Sequence, residues 1–216
     1  MTRPFPNLLW PCHAYFTELS LKFTYSLIAP FYDGVIHRAT AEIRARSLHH
    51  LPQEGRLNIL INGIGTGLDL PCLQTAHNYT GIDLNAAMLS QAKDRINGWN
   101  VNLVQGNSLA LPFADNCFDW AVLHLILAVV PQPEQCLKET ARVLKPGGRV
   151  LILDKFLRPG EKAPLRRMLN PIARRIATRL DVVFEEVLAQ VPAFKVESDE
   201  PVLANGWFRA IRLVKE

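Results

Sequence analysis

The sequence predicts one doubly wound α/β domain, whose mostly parallel sheet ends in a C-terminal antiparallel hairpin. Three observations lead there. From about residue 57 onward, short apolar runs alternate with helical spacing, the pattern of βαβ units. The first run passes straight into glycines at alternate positions, Gly63, Gly65 and Gly67. The last two runs, Ala193 to Val202 and Trp207 to Val214, flank the turn pair Asn205-Gly206. A chain of 216 residues with 49% apolar content suffices for one sizeable core and is short for two. Residues 1–216 therefore read as a single domain, with 1–52 as an N-terminal helical cap and 155–190 as a basic helical insertion before the hairpin.

The cap comprises two helix-like stretches, about 14–28 and 34–51, broken by Ala29-Pro30-Phe31. In the second, Val35, Ile36, Ala39, Ile43 and Leu51 recur near helical spacing, and Arg38, Arg44 and Arg46 fall elsewhere on the wheel. The first strand, Leu57 to Asn62, opens into the glycine turn, and a helical segment is expected after it. Glycines there let the backbone reverse sharply and approach a ligand with no side chain between. The spacing is G-x-G-x-G, with Leu68 where a dinucleotide fingerprint places its third glycine, which counts against NAD. A second strand, Tyr79 to Ile82, ends at Asp83, where a doubly wound fold grips both hydroxyls of a ribose with one carboxylate. Asn85 then caps a helix reaching about Asn97, before Gly98. A third strand, Val101 to Gln105, leads to Gly106-Asn107-Ser108-Leu109, whose amide and backbone groups suit the edge of a base.

A fourth strand ends near Leu125, and Pro133 starts a helix that Pro146, Gly147 and Gly148 stop. Arg149 to Asp154 form the fifth strand. The four cysteines, Cys12, Cys72, Cys117 and Cys136, show no metal spacing and read as small buried thiols in a reducing, cytoplasmic setting. The longest apolar run, Ala121 to Val130, is too short to span a bilayer, and neither a signal peptide nor a membrane helix is expected.

The formal charge of +4 is unevenly spread. Lys155 to Arg179 hold eight basic residues against Glu161 alone, a local +7 that leaves the rest of the chain at −3. Such a segment points to a local anionic partner and away from general nucleic-acid binding. Drawn as a helix, residues 165–179 place Leu165, Met168, Leu169, Ile172 and Ile176 on one face, with Arg166, Arg167 and Arg174 away from it. That is the pattern of peripheral contact with an anionic membrane, or of an apolar face docked on the domain itself; Pro171 divides it.

The stretch Leu111-Pro112-Phe113-Ala114-Asp115-Asn116-Cys117-Phe118-Asp119, with Val130-Pro131-Gln132-Pro133 and Arg142 to Phe156, resembles the class I S-adenosylmethionine-dependent methyltransferases of small molecules. That group includes the ubiquinone and menaquinone C-methyltransferases, and the pattern here is most similar to the bacterial phosphatidylethanolamine N-methyltransferases. The resemblance runs from about Tyr25 to Phe156 and implies a Rossmann-like seven-stranded sheet. Tyr25 to Asp33 is similar to the family segment that lies across the cofactor, so Tyr25 and Tyr32 are implied neighbours of it. The resemblance sets Gly63, Gly65, Thr66 and Gly67 beneath the methionine and ribose, Asp83 on the ribose with Leu84 and Met88 beside it, and Asn107, Ser108 and Leu109 at the adenine. His124 is placed by the sulfonium, where an amine acceptor that must attack as the free base needs a proton acceptor. Asp154 and Tyr25 are weaker candidates for touching the acceptor.

Two positions depart from the family pattern. Ile61 stands where an acidic residue normally meets the cofactor's amino group, with Asp69 and Asn62 as possible substitutes, and strand alternation turns Asn62 to the opposite face. Asn107 replaces a common aspartate, an exchange that keeps an acceptor oxygen. The expected activity is methyl transfer from S-adenosylmethionine to a small, hydrophobic or lipid-like acceptor, with phosphatidylethanolamine as the leading candidate. The alternatives are a quinone or other small-molecule C- or O-methyltransferase and, because of Ile61, a binding or regulatory protein without turnover.

Overall fold

The computed structural model describes residues 40–96, 98–160, 181–203 and 206–216. The expected helix at 14–28, the start of the helix at 34–51, Asn97 and the basic stretch 165–179 lie outside them, as do Cys12, Tyr25 and Tyr32.

Seven strands form one sheet in the order β3-β2-β1-β4-β5-β7-β6. These are β1 (Asn58–Asn62), β2 (Asn78–Asp83), β3 (Asn100–Gln105), β4 (Phe118–His124), β5 (Leu144–Lys155), β6 (Phe194–Leu203) and β7 (Phe208–Lys215). The first five run parallel and β7 is antiparallel to both neighbours, as the hairpin predicts. The chain goes outward from β1 to β3 and returns to lay β4 on the other side of β1, so the strand order reverses between β1 and β4. Crevices outside the carboxyl ends of strands at such a reversal are where open α/β sheets bind ligands.

The central strands read as near-continuous apolar runs because helices cover both faces. Six of the seven residues of β4 are buried. On one face, α3 (Pro133–Val143) and α4 (Phe184–Leu188) pack over Leu60, Ala121, Leu123, Val150 and Ile152. On the other, α1 (described over 40–48) and α2 (Ala86–Lys93) flank Ile59, Ile61, Trp120, Val122 and Leu151. Asn62 sits on the α3 side, its amide donating to Cys136 Sγ and Thr140 Oγ1, so Ile61 and Asn62 do face opposite ways.

Four local expectations need correction. No α-helix follows the glycine turn: a single 3-10 turn, Leu70–Cys72, stands there, because Pro71 has no N–H to donate and few residues remain before β2. The helix α2 stops at Lys93, short of Asn97. The strand β5 is assigned from Leu144, paired with Phe118 before the register shifts to Trp120 opposite Arg149. Of the three cysteines described, only Cys136 is buried; Cys72 is exposed on the 3-10 turn, and Cys117 lies half-buried with its thiol donating to Ala114 O.

The loop most diagnostic of the family is held by one side chain. Arg142, in the last turn of α3, donates to Leu111 O (2.9 Å) and Phe113 O (2.8 Å) while pairing with Asp115 and Glu139. Glu139 in turn accepts from Leu111 N at 2.8 Å. That loop is thereby a structural clasp between α3 and β4.

Candidate active site

The glycine turn is built for two purposes. Gly63 N and Ile64 N both donate to Ile82 O (2.9 and 3.0 Å), tying the end of β1 to β2. Gly63 has φ +78°, and a Cβ there would lie 2.4 Å from Ile126 Cδ1, so this glycine is required by packing. Gly65, at φ +55°, is different, since among the described residues a Cβ there would meet nothing within 4 Å. The open side of the turn is therefore at Gly65, and Gly67 is packed against Leu70 and Ala92. Thr66 is buried, and its carbonyl accepts from Arg95.

Asp83 closes the turn from β2. Its Oδ2 accepts from Gly65 N and its Oδ1 from Asn85 N, both at 2.9 Å. Burial pushes this carboxyl above the usual aspartate range, against the N–H groups of Asn85, Gly65 and Leu84 that favour its ionised form. A carboxylate offers about four lone-pair sites, so with these three N–H groups bound it retains capacity for a ribose hydroxyl. Asn85 caps α2 as expected, its Oδ1 accepting from Ala87 N (2.8 Å) and Met88 N (3.4 Å). Leu84 is half-buried and Met88 buried beside it. After β3, Asn107 Oδ1 accepts from Leu109 N at 2.9 Å, so the amide braces the loop expected at a base edge. Ser108 is buried in that loop and Leu109 packs against the core.

A nucleoside fits this arrangement better than a dinucleotide. A pyrophosphate is usually met by the N-terminus of the helix after the first strand, and here that place holds a three-residue turn. What remains is the Asp83 carboxylate, the turn at Gly65 and the loop after β3, groups of the kind that can meet a ribose and a base.

Across the strand reversal, His124 ends β4 as a buried residue, 8% exposed. Its Nε2 lies 3.0 Å from Ser47 Oγ of α1. Its Nδ1 lies 3.0 Å from Asp69 Oδ2, at ion-pair distance but not as an aligned hydrogen bond. Asp69 Oδ1 meets Arg44 Nη1 at 3.4 Å. Burial alone would raise the Asp69 carboxyl, but the facing His124 and the Arg44 guanidinium outweigh it and hold it below the usual range. The next residue, Leu125, has φ +60°, a conformation that costs a non-glycine residue about 1 to 3 kcal/mol and clusters at functional sites.

The structure thus brings Gly63, Gly65, Gly67 and Asp83 to one turn and sets His124 across the strand reversal from it. Two sequence expectations are corrected. Arg44 is not on the solvent side of its helix: it is 4% exposed, within the buried stripe Thr40, Ile43, Arg44, Ser47 and Leu48. The spacing i, i+3, i+4, i+7, i+8 was the available signal, hidden because an arginine and a serine interrupt it. Asp154 is not placed to touch an acceptor, because it is buried and its oxygens accept from Ala128 N (2.9 Å) and Lys155 N (2.8 Å), pinning the loop after β4. Among the described residues no group of three or more His, Cys, Asp or Glu is placed to hold a metal ion. No described helix is long and apolar enough to cross a membrane.

Residues 60–152 match the family model of the methyltransferase domain. The chain is 31% identical over 188 residues to a phosphatidylethanolamine N-methyltransferase from Cereibacter sphaeroides, covering 84% of this chain and 91% of that protein. It is 43% identical over 81 residues to a ubiquinone/menaquinone biosynthesis C-methyltransferase from Haemophilus ducreyi, covering 36% of this chain and 31% of that protein. A solved Thermotoga maritima SAM-dependent methyltransferase, described as a possible histamine N-methyltransferase, shares the fold with a TM-score of 0.68 at 21% identity, over 91% of this chain and 100% of that one. The chain belongs to the class I S-adenosylmethionine-dependent methyltransferases. It is a methyl-transferring enzyme, and S-adenosylmethionine is its cofactor.

Proposed function

We propose that the acceptor is a small hydrophobic or lipid-like molecule and, more specifically, the ethanolamine nitrogen of phosphatidylethanolamine. The observation that carries this reading is the 31% identity to a phosphatidylethanolamine N-methyltransferase along nearly its whole length. The +7 charge of residues 155–179 supports it, because an anionic bilayer attracts each basic residue near its surface by about 1 kcal/mol. Sedimentation with anionic and neutral vesicles tests that contact, and equal, negligible binding to both would remove it.

In this reading Gly65 and Asp83 hold the adenosyl group, Asn107, Ser108 and Leu109 border the base, and Tyr25 and Tyr32 cover the site. When bound, the cofactor supplies an electrophilic methyl on a cationic sulfur, so the protein's task is alignment and removal of one proton. Alignment of this kind lowers a barrier by about 7 to 11 kcal/mol. The ammonium form of the acceptor has no lone pair and must first lose a proton. His124 receives it at Nε2 by way of the Ser47 hydroxyl, and Asp69 opposite Nδ1 stabilises the imidazolium. His124→Ala is expected to lower kcat by about 10²- to 10⁴-fold with little change in the dissociation constant of S-adenosylhomocysteine. Unaltered turnover would make His124 a packing residue.

A second reading, a quinone or other small-molecule C- or O-methyltransferase, is favoured by the 43% identity to the quinone enzyme, although that covers only 36% of the chain. Mass spectrometry of products after incubation with phosphatidylethanolamine and with a demethylated quinone separates the two. A one-methyl gain on the quinone alone would overturn the lipid reading.

A further inference from the structure

Between α1 and the glycine turn lies a charged group that the adenosyl contacts leave unused. Arg44 is 4% and Asp69 7% exposed. Their ion pair is long, at 3.4 Å, against about 2.7 to 2.9 Å for a charge-assisted N–H···O bond. Among the described residues the buried Nε of Arg44 has no hydrogen-bond partner. Burying two ions stabilises a fold only when their geometry is close and their remaining hydrogen-bonding groups are satisfied, and this pair meets neither condition. Such a pair makes better sense as half of a larger set of charges.

Its place in the fold says what the other half is. Ile61 pairs with Val122 across β1 and β4, and the same register carried two residues on puts Gly63 beside His124. Asp69 follows Gly67 by two residues and touches His124, so the group sits at the strand reversal, against the turn whose open side is Gly65. Ile61 faces this side, among apolar residues, and Asn62 faces α3. On this side β1 therefore offers no carboxylate, Ile61 being apolar, and Asp69 supplies one together with a cation, Arg44.

Resting on the methyltransferase reading of the site, we propose that Asp69 and Arg44 receive the amino-acid end of S-adenosylmethionine, Asp69 taking its ammonium and Arg44 its carboxylate. A zwitterion meeting a buried pair of opposite sign adds no net charge to the interior, and each of the four groups gains a partner. The planar guanidinium suits a carboxylate, which it can bind through two parallel N–H bonds. The assignment accounts for the unpartnered Nε, for the arginine within the buried stripe of α1, and for tolerance of Ile61.

The test is calorimetric titration of the full chain with S-adenosylhomocysteine and with methylthioadenosine, which keeps the nucleoside and the thioether but lacks the amino acid. The wild type should bind S-adenosylhomocysteine about ten- to a hundredfold more tightly. Asp69→Asn and Arg44→Gln should each remove most of that advantage and leave methylthioadenosine binding as it was. Adding Ile61→Glu to Asp69→Asn should restore part of it. Equal affinity of the wild type for both ligands overturns the assignment without any variant having to fold, and leaves the nucleoside reading standing. Variants that keep the full advantage overturn it as well. Variants that lose both ligands alike also do so, because the pair is then a structural pin for α1. If the wild type binds neither ligand, the cofactor reading itself fails, and this assignment with it.

Discussion

The two sides of the glycine turn each present an aspartate, and they hold it in opposite ways. Asp83 is met by backbone N–H groups of its own neighbourhood, Gly65, Leu84 and Asn85, and its carboxyl is raised because burial outweighs them. Asp69 is met by side chains brought from other elements, Arg44 of α1 and His124 of β4, and its carboxyl is lowered because those two side chains outweigh burial. A backbone-held acceptor is fixed once the strand and the turn exist, whether or not a ligand is present. A side-chain-held one depends on α1 staying docked. The side proposed for the nucleoside is therefore the rigid half of the site, and the side facing α1 is the adaptable half.

The largest effect that tests this contrast is on the rigid half. Removing the carboxylate in Asp83→Ala is expected to raise the dissociation constant of S-adenosylhomocysteine about a hundredfold or more, since two hydrogen bonds to a charged acceptor are lost at about 1.5 to 3 kcal/mol each. Calorimetry reads this directly, and an unchanged constant would mean that the ribose is held elsewhere. A pair of alanine substitutions then separates scaffold from ligand surface within the turn. Gly63→Ala meets Ile126 at 2.4 Å and sits at positive φ, so it should lower unfolding stability by about 1 to 3 kcal/mol. Gly65→Ala carries only the backbone penalty, about 1 to 2 kcal/mol, but sets a methyl group where the ligand passes and should weaken binding more than it lowers the melting temperature. If Gly65→Ala binds as the wild type does, the open side of the turn is not the ligand side.

What was legible in the sequence follows the same division. The rigid half is local: the strand, the alternate glycines, Asp83 and the Asn85 cap lie between β1 and the start of α2, and periodicity with turn chemistry fixes them. The parallel strands and the terminal hairpin follow from similar short-range signals. The helix missing after the turn traces to Pro71, whose effect the strand-to-helix expectation underweighted. The adaptable half is long-range. Arg44 and Asp69 are 25 residues apart, and on a helical wheel an arginine is assigned to solvent because isolated burial of its charge is costly. Only the facing carboxylate makes its burial tolerable, and no spacing rule connects the two. Asp154 shows the reverse case, a residue whose position at a strand end suggests chemistry and whose oxygens are committed to the backbone.

The smallest expected effect is on the adaptable half and depends on pH. A carboxyl lowered in the folded state contributes stability that is fully present above its ordinary value of 3.8 and is lost as the pH falls through the lower folded value. Because burial opposes the two facing side chains, that contribution is a difference between competing effects and is correspondingly modest. Asp69→Asn should therefore melt somewhat below the wild type at neutral pH. The gap should hold down to the ordinary carboxyl range and close at more acid pH, where the wild-type carboxyl is itself protonated. Asp83 predicts the opposite slope: its raised carboxyl makes the ionised form a burden on the empty fold, one that is relieved as the pH falls toward its folded value. Thermal melts of wild type, Asp69→Asn and Asp83→Ala across the acid range read both signs. If the gap between wild type and Asp69→Asn stayed constant with pH, Asp69 would be acting through its shape and not its charge, and the distinction between the two aspartates would collapse.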